Sequence, residues 1–250
     1  MAVSEELLRR AQKDDRAAME ALLSDVYPSV YRIAHALTGR ANAGRYVVHG
    51  VLRRSLRVMP EWRVGVIPEN WYYHHTVLST RDFSSRPPDP REDLLVTGAG
   101  AAGAADPGYA AFVRALRSLP VQQAEAYVLF HGENLNDRLL GVAMDCSVNA
   151  AATHLVAATQ GLGAVVGEKT EQYTKLLSSA YRAVTPPPET IEPVARQYVK
   201  KALRPKQVRR VIRWLVFIAL LVGAYFAWRE RDRWVPWVRD ARAKWWDSRG

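Results

Sequence analysis

The sequence predicts an all-α protein, with helical domains followed by a single C-terminal transmembrane helix. Three observations carry that prediction. No run of alternating apolar and polar residues reads as a half-buried strand. Apolar residues instead recur at helical spacing between capping residues and the glycines or prolines that stop a helix. Near the C-terminus, residues 214–228 carry no charge at all. The chain has 250 residues, 48% hydrophobic and 24% charged, enough for a sizeable core and too apolar for wholesale disorder. One cysteine, Cys146, excludes an intramolecular disulfide and a multi-cysteine zinc site.

Taken in order, Ser4 with Glu5 and Glu6 opens the first helix, because a serine oxygen accepts from first-turn N–H groups and carboxylates favour the positive end of the helix. A second helix fits residues 15–26. Pro28, with its fixed φ, is placed to open a third through Val30, Ile33 and Leu37, which Gly39 stops. Residues 43–58 form a fourth, ending before Pro60, and 69–81 a fifth. From Ser84 to Gly108, four prolines, four glycines and a block of alanines read as a linker. Helical patterning resumes at Tyr109, breaks at Leu119-Pro120, runs over 121–131 to Gly132, and gives two further helices near 135–144 and 147–160. An amphipathic helix fits 169–184, with Tyr173, Leu176, Leu177 and Tyr181 on one face. Thr185 to Pro188 forms a stiff spacer before a short helix and the membrane segment.

The net charge of +10 is not spread along the chain. Residues 1–196 hold 21 Lys/Arg and 21 Asp/Glu, whereas residues 197–250 hold 14 and 4. Bulk basicity would suggest nucleic acid, but its position points first to membrane. Residues 211–228, interrupted only by Arg213, span about 27 Å as a helix, close to a ~30 Å hydrocarbon core. Arg213, Trp214, Trp228 and Arg229 then form the membrane anchor, with guanidiniums and indoles at the headgroups. Seven cations precede the span, at Lys200, Lys201, Arg204, Lys206, Arg209, Arg210 and Arg213. Over the fifteen residues beyond it, five are mixed with three acids. That bias, with no apolar segment at the N-terminus, predicts a single-pass protein of the inner (cytoplasmic) membrane with its N-terminal domains in the cytoplasm. Trp234, Trp237, Val238, Ala241 and Trp245 recur at helical spacing with cations between them, as in a helix lying on an anionic lipid bilayer.

The sequence predicts neither an enzyme nor a cofactor. Gly98, Gly100 and Gly103 spell the dinucleotide fingerprint, but the apolar run Leu94-Leu95-Val96 is too short for the strand that motif needs, and Pro107 interrupts the helix. No HExxH, nucleophile elbow or P-loop lysine occurs. His74-His75 point about 100° apart on a helix, with no third ligand at chelating spacing, so no metal site is expected.

Two stretches resemble bacterial RNA polymerase sigma factors of the extracytoplasmic-function type. Residues 11–62 are similar to that family's second conserved region, with AQKDDRAAMEAL, then YPSVYRIAHALTG, then the helix that docks on core polymerase. Residues 118–162, SLPVQQAEAYVLFHGENLNDRLLGVAMDCSVNAAATHLVAATQGL, resemble the fourth region, whose helix-turn-helix reads promoter DNA. The resemblance implies a region 2-like domain at 1–83 and a region 4-like helix-turn-helix domain at 109–163; composition and hydropathy add the linker at 84–108, a helical and basic juxtamembrane segment at 164–210, the transmembrane helix at 211–228 and an interfacial tail at 229–250. The resemblance further implies DNA contacts at Ser147, Asn149, Ala150, Thr153 and His154, promoter melting by Trp71, Tyr72, Tyr73 and His74, and polymerase docking through Arg45, Val48, His49 and Arg53. The implied partners are core RNA polymerase, promoter DNA and a regulatory protein.

The departures from the family matter as much. The recognition helix, residues 146–160, holds no Lys or Arg, where the family carries cations at the positions of Ala152, His154, Ala157, Thr159 and Gln160. Each missing cation is a phosphate contact without counterion release, so DNA affinity falls. The docking helix has Gly44, Arg45, Val48 and His49 where the family is acidic and polar. The expected function is a membrane-tethered, sigma-like regulator of transcription initiation with weakened DNA and polymerase contacts. The alternatives are a degenerate sigma-like module serving as a protein-interaction platform, and a membrane structural protein without a role in transcription.

Overall fold

Local capping sets most of the helix starts. In the computed structural model, which describes residues 4–63, 67–83, 88–89, 92–100, 103, 106–229 and 245, the Ser4 hydroxyl accepts from Leu7 N at 3.2 Å and opens α1 (Glu5–Gln12). Asp15 accepts from Ala17 N and Ala18 N at 3.0 and 3.2 Å and opens α2 (Arg16–Thr38). Gly39, at φ +65°, ends α2 in the left-handed region that glycine enters without strain.

Pro28 does not open a helix of its own; it lies inside α2. The ring forgoes one bond, to the residue 24 carbonyl, and α2 runs on because Val26, Tyr27, Val30 and Ile33 are buried on either side of it. α3 (Ala41–Val58), a 3-10 turn (Met59–Glu61), α4 (Pro68–Thr80) and a second 3-10 turn (Arg81–Phe83) complete the first half.

Within the Pro/Gly/Ala-rich stretch, Asp93 caps a one-turn helix, α5 (Leu94–Thr97), and Leu95 is fully buried. The residues before Gly98 are thus helical, not the strand that a dinucleotide site requires. α6 (Pro107–Ser118), α7 (Val121–His131), α8 (Asp137–Met144), α9 (Val148–Val166), a 3-10 turn (Gly167–Lys169) and α10 (Thr170–Ala183) follow. The juxtamembrane and membrane segments are one helix, α11 (Pro188–Arg229), where the sequence suggests a short helix and then a span. Every described element is helical.

Residues 1–202 form one compact unit and residues 203–250 a second. In the first, α2 packs on α3 and α4, α4 on α8, and α9 on α6, α7 and α8. One apolar core joins Ile33, Ala36 and Val77 to Phe112, Tyr127, Leu140, Leu162 and Tyr181, so the helices before and after the Pro/Gly/Ala-rich stretch share an interior. Three arginines tie those halves together. Arg117 donates to both Asp93 oxygens at 2.8 and 3.0 Å and to the Ala36 and Leu37 carbonyls at 2.7 and 2.9 Å. Arg81 grips Glu125 at 2.9 and 2.8 Å and reaches the Met144 carbonyl at 2.8 Å. Arg32 meets Glu133 at 3.2 Å, and that carboxylate also accepts from the Tyr181 hydroxyl at 2.8 Å. Planar two-point pairing satisfies both ions where water is scarce.

The first turns of α11 belong to the same unit. Ile191, Val194, Ala195, Tyr198 and Val199 recur at helical spacing and are the covered residues, with Ala195 and Val199 buried.

Candidate binding surfaces

α8 and α9 are joined by a short capped turn. Asn136 caps α8, accepting from Leu139 N at 2.9 Å. Asp145 turns the chain at φ +60°, and Ser147 caps α9, accepting from Ala150 N at 3.2 Å. The turn folds back onto Gly141, where an added Cβ would stand 3.0 Å from the Cys146 carbonyl oxygen. Burial pushes the Cys146 thiol above its ordinary pKa, the reverse of an activated nucleophile.

On α9, Asn149, Thr153, Val156 and Gln160 are exposed along one stripe, while Ala150 and His154 are half-buried and Ser147 is exposed at the cap. Their hydrogen-bonding capacity is partly spent. The Thr153 hydroxyl donates to the Asn149 carbonyl at 2.8 Å and the Ser147 oxygen is the cap acceptor. The Asn149 amide, the His154 ring and the Ser147 O–H keep hydrogen-bonding capacity toward solvent or a partner. Residues 146–166 contain no charged side chain, so the face that would meet phosphate has no cation.

The four aromatic residues assigned to promoter melting lie on α4, and the fold uses them in packing. Tyr72 is buried. Trp71 is half-buried, its ring 5.4 Å from that of Trp62, 5.2 Å from Tyr72 and 4.2 Å from His75. Burial, with Arg54 and His74 nearby, pushes His75 down to about 4. Tyr73 packs against the core, and burial with Glu133 and Glu69 raises it to about 12. His74 Nδ1 bonds the Val142 carbonyl of α8 at 3.2 Å. Two candidate sites therefore come together: His74 and Ser147 line one open cleft of about 430 Å³, shared with Arg138, Gly141 and Asp145. Sequence reasoning missed Arg138, the exposed cation beside the turn. The signal is its place at the start of α8, one helix before the uncharged α9.

On α3, Arg45, His49 and Arg53 are exposed at successive turns and Val48 is buried, so Val48 serves the core. α11 reaches this face. His49 Nδ1 and the Tyr198 hydroxyl share a 2.6 Å hydrogen bond, with ring centroids 5.3 Å apart. Burial, with Tyr27 nearby and Arg53 opposing, raises the Tyr198 hydroxyl to about 12. The His49–Arg53 edge of the candidate docking face is thus engaged by the chain's own juxtamembrane helix.

Two helical stretches are long and apolar enough to cross a membrane, Val148–Ala183 with mean hydropathy 1.2 and Val211–Arg229 with mean hydropathy 2.0. Arg213, Trp214, Trp228 and Arg229 lie at the two ends of the second, all exposed. The interfacial tail lies outside the described residues except for Trp245, which is exposed. Among known proteins, the chain matches no protein-family model and no curated protein.

Proposed function

We propose that the protein is a membrane-tethered, sigma-like regulator of transcription initiation, held at the inner membrane by α11 with its helical body in the cytoplasm, and with DNA and polymerase contacts weakened relative to the family it resembles. The observation that carries this reading is the pair of helices α8 and α9 joined by the left-handed Asp145 turn and the Ser147 cap, following a helical bundle in the chain order the resemblance implies. The tagged full chain, extracted from its host in mild detergent, is expected to co-purify core RNA polymerase subunits above an unrelated helical membrane protein, and to prefer promoter over random duplex at low salt. Absence of both would end the reading.

One observation favours a second reading, a protein-interaction platform on the same scaffold: the outward stripe of α9 is uncharged and includes Val156, 55% exposed. Thr153→Arg, Val156→Arg and Gln160→Arg together are then expected to create duplex binding where the parent has none, with a slope against log salt near −0.9 for each phosphate neutralised. A triple variant that still ignores DNA would show that lost charge is not what separates this helix from a DNA reader.

A further inference from the structure

The open side of α3 carries a second feature, which overlaps the candidate docking face at Arg53 and extends beyond it. Residues 40–60 contain five arginines and no acid. Arg53, Arg54 and Arg57 are exposed, and none stands within ion-pair distance of a carboxylate among the described residues. That sets them apart from Arg32, Arg81 and Arg117, which the fold spends on carboxylates. Helical spacing puts Tyr46, Arg53, Arg54 and Arg57 around Gly50, and nothing lies within 4 Å of where a Gly50 Cβ would be. The result is an open position on the helix surface flanked by three arginines. Tyr46 is 71% exposed, its ring leaning edge-on toward Phe83 at 5.8 Å. An amphipathic ring beside cations suits a membrane interface, where its hydroxyl stays hydrated and its body leaves water.

The groups facing this patch are few. His75 of α4 approaches Arg54, and Tyr198 of α11 approaches Arg53. Glu61, exposed, lies four residues beyond Arg57 and offsets one charge at the edge.

We infer that this face of α3 binds the phosphate headgroups of anionic phospholipid and lays the helical body on the leaflet that anchors it. Phosphate matches the guanidinium fork, and Gly50 leaves room for it to approach the helix. The choice of lipid over another polyanion rests on the reading of residues 211–229 as membrane-spanning. Only twelve residues separate Tyr198, the neighbour of Arg53, from Val211. That is at most about 45 Å of chain, so a tethered body meets headgroups at an effective concentration no soluble polyanion matches. In this state α3 is occupied by lipid rather than by polymerase, which makes leaflet charge a control on the proposed docking face.

The test uses the full chain with Cys146→Ser and Asn42→Cys, labelled with a fluorophore at residue 42, exposed on the same helix and outside that open position, and reconstituted into vesicles bearing a headgroup-linked quencher. In phosphatidylcholine with about 30% phosphatidylglycerol, quenching is expected to be about twofold stronger than in phosphatidylcholine alone, and to fall to the neutral level at high salt and in an Arg53→Gln, Arg54→Gln, Arg57→Gln variant. Equal quenching in both compositions, or quenching that ignores the three substitutions, overturns the inference. Arginine-dependent binding of added duplex DNA without vesicle quenching overturns it in favour of nucleic acid. Alkaline extraction of the same vesicles scores the anchor separately. Protein that is extracted yet still shows arginine-dependent quenching when bound sustains the patch and sinks the membrane-spanning reading.

Discussion

Two helical stretches of this chain are apolar enough to cross a bilayer, yet their surroundings differ. In Val148–Ala183, Ala151, Ala158, Leu162, Tyr173, Leu177 and Tyr181 are all within 1% of full burial, against other helices of the same body. In Val211–Arg229 every residue is exposed, and Leu215, Phe217, Leu220 and Leu221 keep half or more of their surface open. The first stretch buries one stripe, 17% of its apolar window, inside the protein, and the second buries none of its own. The second has no apolar partner among the described residues, and each square ångström it exposes to water costs about 25 cal/mol. Mean hydropathy ranks the two, but burial is what separates a core helix from one suited to lipid.

Charge placed on each helix gives the sharpest way to break that contrast. Leu162→Lys in α9 buries an uncompensated ammonium and is expected to cost more than about 4 kcal/mol, enough to abolish cooperative thermal unfolding followed by circular dichroism. A body that still melts cooperatively would mean α9 is not a core helix. Next in size, Arg117→Ala strands Asp93, whose side chain is 2% exposed, and is expected to lower stability by about 3–5 kcal/mol in urea titration. Leu220→Lys is expected to leave that titration unchanged while disfavouring membrane insertion by about 3 kcal/mol, read as loss from the alkali-resistant membrane fraction. If it instead destabilised the body, the second unit would not be independent of the first.

pH sharpens the contrast further, because the body alone holds the buried histidines. His35, His75 and His131 all have pKa values lowered by burial, so the unfolded chain binds more protons than the folded one once pH drops below about 6.5. Their contribution is complete above that value and is lost as pH falls toward the folded values, of which His75 is about 4. The melting temperature of the body is expected to decline from pH 7 to pH 4.5, and a flat profile would contradict the burial of these rings. The smallest effect belongs to Tyr198→Phe. Loss of the 2.6 Å bond to His49 is expected to cost about 1 kcal/mol and to speed amide exchange in the first turns of α11 without altering membrane retention.

Much of the local structure is legible in the sequence. Ser4 reads as a helix start, Asp15 and Ser147 fall at expected ones, and Gly39 reads as a stop, since a cap involves groups two to four residues apart. Pro28 misleads because a proline suits a first turn and a long buried helix alike, and the choice depends on what packs against its neighbours. The candidate sites are less legible. Tyr72 and Val48 carry residue types that could serve a partner or the core, and both are buried. The meeting of His74 with the α8 carbonyl, 68 residues away, leaves no trace in local sequence.

Helical class, the capped helix starts and the uncharged stretch were determined by the sequence itself, because propensity, capping and hydropathy act over a few residues. The tertiary structure alone decided the use of the arginines. Arg32, Arg81 and Arg117 find carboxylates 101, 44 and 24 residues away, while Arg53, Arg54 and Arg57 face water, although nothing in their neighbours distinguishes the two sets. Pairing depends on which surfaces the packed core brings together, and that is settled only when the whole body closes.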